Sequence, residues 1–274
     1  MKNQKFKAFL ILFCISLVIL STGCQKDSET KTKQTKVINI ICEDTVFPMV
    51  SDLVRDYNLN NENVLTVKCE NREIAFNKLY NSEVDVLIGY VQPSNKIIKA
   101  KMLAYDGIGI IVNPSNKISD IEIEKLRKIY SGKIENWSKL NGLLNPIIPV
   151  AFKDKLNSVQ KEFDMKIRDT PVREQMGKST QYVSSMDEMK TFIDQNKNSI
   201  GFIPGQWYNK ESKFLKLSGI EITSSNLKNN LYFLRFPIKI YYSEKKEESL
   251  KDLFQYFKSE DGEKIIRKYC IEAF

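Results

Sequence analysis

The sequence predicts an α/β fold built on a largely parallel sheet. Near-continuous apolar runs such as VINIIC (37–42) and VDVLIGY (84–90) suit strands buried on both faces. Stretches with helical apolar spacing lie between them, the alternation that builds parallel sheets. The 274 residues are 28% charged and 42% hydrophobic, a globular balance long enough for one large domain or two lobes.

The opening stretch, MKNQKFKAFLILFCISLVILSTGC, stands apart from that pattern. Lys2, Lys5 and Lys7 form a positive region, Ala8 to Leu20 an apolar one, and Ser21, Thr22 and Gly23 lead to Cys24. The apolar run is shorter than the roughly 18–20 residues that span a bilayer, so it reads as a signal peptide over 1–23. The ending LSTGC resembles a bacterial lipobox, which implies lipidation of Cys24 and a membrane anchor. An ordinary secretory signal that happens to adjoin a Cys is the other reading. QKDSETKTKQTK then gives a polar tether over 24–36.

From there the elements follow in order. VINIIC is a strand, and a helix with Pro48 in its first turn runs to about Asn58, burying Val46, Met49, Val50, Leu53, Val54 and Tyr57. VLTVKC (64–69), REIAFNKLYNS (72–82) and VDVLIGY (84–90) continue as strand, helix and strand. GIGIIVN (107–113) is a strand ended by Pro114. ISDIEIEKLRKIYSG is a helix capped by Ser119 or Asp120 and stopped by Gly132. NPIIPVAF (145–152) reads as a strand, SVQKEFDMKI (158–167) as a helix, SSMDEMKTFIDQN as a helix capped at Ser184 or Ser185, and NSIGFIP (198–204) as a short strand. FPIKIYYS (236–243) is a long strand, and 250–270 is helical with a break near Asp261-Gly262.

Composition narrows the function. The chain has no histidine, which removes His triads, His metal sites and His acid–base chemistry. No other catalytic constellation is visible, so an enzyme is disfavoured, and no metal or cofactor is expected. The formal charge of +8 loses three Lys with the signal, leaving 39 basic against 34 acidic residues. They are interspersed, with no basic stripe carrying aromatics, which argues against nucleic acid as a partner. Cys42, Cys69 and Cys270 read as buried thiols, with a Cys42–Cys69 disulfide as the alternative.

GIGIIVNPSNKISDIEIEKLRKIYSGKIENWSKLNG (107–142), NSIGFIP, and FPIKIYYS followed by FQYFKSEDGEKIIRKY together resemble the phosphate-binding subunit of phosphate ABC importers. The resemblance covers about residues 37–274 and implies a two-lobe type 2 periplasmic-binding-protein fold with two crossing hinge strands, near 105–113 and 236–243. Lobe one would hold 37–105 plus 240–274, and lobe two 106–239. A ligand would sit between them at helix N-termini, where free N–H groups favour anions. Ser131, Gly132 and Trp137 are expected to be scaffold.

The same resemblance implies the site residues. Its hydroxyl in the first loop falls on Thr45, beside Glu43 and Asp44. The second loop puts Arg72 and Glu73 near a Ser position, and Tyr90 follows the third strand where the family has a polar ligand element. In lobe two an Arg-x-x-x-Ser-Gly-Thr element becomes Phe152 and Leu156-Asn157-Ser158. Thr45, Arg72, Tyr90, Asn157 and Ser158 are therefore the expected ligand residues, a set with fewer charged donors than the family's own. The implied partners are a small anion such as phosphate and an ABC permease, with the chain a monomer. A ligand-poor surface lipoprotein acting as sensor or interaction protein is the second function class.

Overall fold

The computed structural model describes residues 35–90, 97–155, 157–167, 176–207 and 213–272. The signal-like segment and Cys24 lie outside them, as do Val91 to Lys96 and Leu156. Lys36–Phe274 form one unit, and the elements below belong to it.

The first lobe-sized layer is the expected strand–helix alternation. β1 (Val37–Cys42) leads through a 3-10 turn (Asp44–Val46) into α1 (Phe47–Asn60). β2 (Val64–Cys69), α2 (Arg72–Tyr80) and β3 (Val86–Gly89) follow. β1 pairs in parallel with both β2 and β3. The six apolar residues assigned to the inner side of the first helix are all buried. The Asn71 side chain caps α2 by accepting from the Ile74 amide.

β4 (Ile98–Val112) is longer than the seven-residue strand expected from GIGIIVN, because Ile98 to Asp106 continue the ladder backwards. It pairs antiparallel with β10 (Arg235–Ser243) from Ile98 to Gly107, then with β8 (Ser199–Pro204) from Ile108 to Val112. β10 in turn joins β3. The two long antiparallel strands thus link the β2-β1-β3 side to the side carrying β8, β6 (Ile148–Phe152) and β7 (Gln181–Val183), giving the order β2-β1-β3-β10-β4-β8-β6-β7. This is the mixed α/β, two-lobe architecture that the sequence predicts.

The second side holds α3 (Ile123–Tyr130), α4 (Ser158–Ile167) and α5 (Met186–Gln195). α3 starts later than expected, after Glu122, because Asp120–Ile121 form β5 and pair with β9 (Lys213–Leu217). Gly132 has φ +74°, the left-handed cap its position called for. Ser185 accepts from the Glu188 amide while Glu188 accepts from the Ser184 amide, a reciprocal cap. β9 and the short α6 (Ser224–Lys228) carry no strong periodicity and were not legible in the sequence.

The chain closes with α7 (Lys251–Phe257), α8 (Glu260–Tyr269) and β11 (Ile271–Glu272). The helical break falls at Lys258–Ser259, three residues before the Asp261-Gly262 expected. Ser259 caps α8 by accepting from Gly262 N–H, and Gly262 sits inside the first turn. A Cβ there would come within 2.2 Å of the Tyr256 carbonyl oxygen, so the glycine permits helix contact rather than interruption. Cys42 and Cys69 are register partners on β1 and β2, yet both are free thiols.

Candidate functional site

Two loops of the first side, after β1 and after β2, meet the amino end of α4 from the second. Each comes from the carboxyl end of a strand, where backbone leaves the sheet and side chains converge.

Asp44 lies in the turn after β1. One carboxylate oxygen accepts from the Thr45 amide at 2.9 Å. The other accepts from the Asn157 side-chain amide, 2.7 Å away across the two sides. Asn157 also caps α4, its Oδ1 accepting from the Gln160 amide at 3.0 Å. The Ser158 amide and hydroxyl both favour the Asp44 charge electrostatically. Burial, and then the neighbouring Glu43, nonetheless raise the Asp44 carboxyl above the usual range.

Arg72, in the first turn of α2, does not project into open space. Its Nε lies 3.2 Å from Glu43 and its Nη2 2.8 Å from Glu162 on α4. Glu43 is wholly buried and packs on Gly89, where an added Cβ would stand 2.6 Å from its Cγ. Burial works to lower the Arg72 pKa, but the two carboxylates more than offset it and the net shift is upward. Glu162 is raised chiefly by burial, with Arg72 opposing. Lys161 adds a more exposed contact to Glu73 at 2.9 Å. Among the described residues, α4 and its Asn157 cap thus make three side-chain contacts with the first side, to Asp44 in the turn after β1 and to Arg72 and Glu73 in the first turn of α2.

Of the five expected ligand residues, Thr45, Arg72, Asn157 and Ser158 converge on this cluster. Thr45 and Ser158 are fully buried, and their hydroxyls have no hydrogen-bond partner among the described residues. The buried Tyr241 hydroxyl of β10 shares that condition, and Glu43, Arg72 and Glu162 all act on it electrostatically. Tyr90 is engaged elsewhere: its hydroxyl donates to Asp106 at 3.0 Å and its ring packs against Phe236. Sequence reading did not single out Glu162, although it sits on a helix already placed at the site. It also gave Asp44 and Glu43 no role beyond lying beside Thr45. A separate cavity of about 540 Å³ lies between α8 and the β9–α6 region, lined by Leu215, Leu227 and Tyr269 among others, and none of the five residues lines it. Trp137 lies outside the cluster, buried with its indole N–H donating to the Asn198 carbonyl.

Paired loops at strand ends thus face a helix amino terminus across a two-strand crossing, the arrangement that the resemblance to solute-binding proteins implies. The sequence matches the PBP superfamily domain over residues 27–261, and the chain belongs to that superfamily. Within it this is a type 2 member similar to PstS. The phosphate-binding protein PstS of Borreliella burgdorferi is 25% identical over 276 residues, 96% of each chain. An ABC-type phosphate transport receptor from Vibrio cholerae superposes with a TM-score of 0.76 at 25% identity, covering 86% of this chain and all of that one. A putative phosphate ABC transporter substrate-binding protein from Clostridium perfringens, solved with bound phosphate, gives 0.77 at 21% identity, covering 87% of this chain and all of its own. These relatives are named as binding and transport proteins rather than enzymes.

Proposed function

We propose that this chain is a lipid-anchored, extracytoplasmic solute-binding protein serving an ABC permease, with a phosphate-like oxyanion as its inherited ligand and a depleted site. The observation that carries this reading is the placement of Thr45, Asn157 and Ser158 around the amino end of α4, between two linked lobes. The donors are those of an oxyanion site, but the cationic one is already used: Arg72 holds two buried carboxylates. Glu43, Asp44 and Glu162 add negative charge where a dianion would have to enter. A charge-assisted hydrogen bond contributes about 1.5–3 kcal/mol, so losing two weakens phosphate by roughly 100-fold or more relative to a full donor set.

Calorimetric titration with phosphate, sulfate and related anions tests the reading. Weak, competitive binding of these anions supports it. Tight phosphate binding would contradict the depleted site, and no anion binding at any concentration would remove the oxyanion ligand. A second reading, a surface lipoprotein acting as sensor or interaction protein, draws support from the α4 contacts, which bridge the lobes through side chains of the chain itself.

A further inference from the structure

We propose that the Asp44 carboxylate is a built-in ligand, occupying the oxyanion position at the amino end of α4 and excluding external anions from it. The inference rests on the solute-binding reading above and deepens it by naming the residue that sets access to the site.

The geometry is that of an anion held at a helix terminus. Asp44 receives one backbone amide from its own turn and one side-chain amide from the α4 cap, at 2.9 and 2.7 Å. Asn157 is itself the cap of α4, its Oδ1 accepting from the Gln160 amide, so the carboxylate is tied to the start of that helix. A carboxylate presents two oxygens to such donors much as an oxyanion presents two of its four, and the helix dipole favours either. Two further groups suit an occupant with more oxygens than a carboxylate has. The Thr45 and Ser158 hydroxyls are fully buried yet unpartnered among the described residues. Buried hydroxyls are ordinarily hydrogen-bonded. The two Asp44 oxygens are engaged by the Thr45 and Asn157 amides and satisfy neither hydroxyl. A tetrahedral oxyanion replacing it would supply acceptors to both hydroxyls.

Asp44 also joins the lobes. Asn157 sits on the second side and Asp44 on the first, so the bond between them makes the contact that a bound solute would otherwise mediate. Binding of an external anion then requires Asp44 to withdraw, and the site's affinity is lowered by the stability of this internal contact.

The test compares the full chain with Asp44→Ser, which removes the carboxylate and leaves a small hydroxyl. Two quantities are read: affinity for inorganic phosphate and sulfate by calorimetry, and hydrogen exchange of the Thr45 amide, which donates to Asp44. The wild-type amide should be protected without added anion. In Asp44→Ser it should exchange faster, regain protection on adding sulfate or phosphate, and bind either anion about tenfold or more tightly than wild type. Unchanged affinity with unchanged amide protection would overturn the proposal. Lost protection that neither anion restores would uphold Asp44 as occupant while removing the oxyanion from the solute-binding reading. Should the Ser variant fail to fold, Asp44→Asn keeps the volume, removes the charge and carries the same comparison with a smaller gain.

Discussion

The Arg72 guanidinium lies 2.8 Å from Glu162, joining the first turn of α2 to α4 across the lobes. Glu43, fully buried, shares the same guanidinium. Removing the cation would strand two carboxylates in a desolvated place. Arg72→Ala should therefore destabilise the chain by about 3–5 kcal/mol, the usual effect of breaking a buried ion pair from one side. Urea unfolding measures it, and a cost below about 1 kcal/mol would mean that the carboxylates neutralise or hydrate freely.

Gly89 matters for the same pair. A methyl at this position would stand 2.6 Å from Glu43 Cγ, so Glu43 must move away from Arg72. Gly89→Ala should cost about 1–3 kcal/mol as overpacking. In a Glu43→Ala background the methyl has room, and a double-mutant cycle should show most of that cost disappearing.

The pH dependence of stability should run against ordinary acid denaturation over part of its range. Burial raises Asp44, with Glu43 assisting, and raises Glu162 against the opposing effect of Arg72. The folded chain thus holds protons that the unfolded chain releases, between the ordinary carboxylate range and the raised values. Stability from these two groups is complete below that range and is lost as pH climbs through the raised values. The melting temperature should rise as pH falls through the raised values toward the ordinary carboxylate range, and Asp44→Asn with Glu162→Gln should flatten the slope. Asp52, lowered by bonds from Tyr269 and Lys268, works in the opposite direction at more acid pH.

Trp137 is scaffold. Its indole is buried and donates to the Asn198 carbonyl at 3.0 Å, tying the segment after Gly132 to the start of β8. Trp137→Ala should cost about 3–5 kcal/mol, with anion affinity unchanged in whatever fraction folds. An altered affinity at unaltered stability would place the indole in recognition.

Anchoring is tested by Cys24→Ala. The wild-type chain should incorporate labelled fatty acid and sediment with membranes, whereas the variant should do neither. Labelling of the variant would place the acyl group on another residue.

Local signals in the chain specify the strand–helix order of the first lobe, the capping at Ser185 and Gly132, and the resemblance carried by residues 107–142. Apolar periodicity, cap chemistry and φ preference act within a few residues, which is why they can be read without a structure. The resemblance, rather than those signals, points to four residues that meet in the cluster. The partner of each side chain is a different matter. Nothing in REIAFNKLY says that Arg72 would be held between Glu43 and Glu162, 29 residues before it and 90 after. Tyr90 looked available until β4 brought Asp106 to its hydroxyl, and CEDTVFP showed an acid near a helix start without showing which helix. A carboxylate's role depends on which donors and charges surround it within a few ångströms. Those distances were set only when the crossing strands brought the first lobe's loops against the amino end of α4.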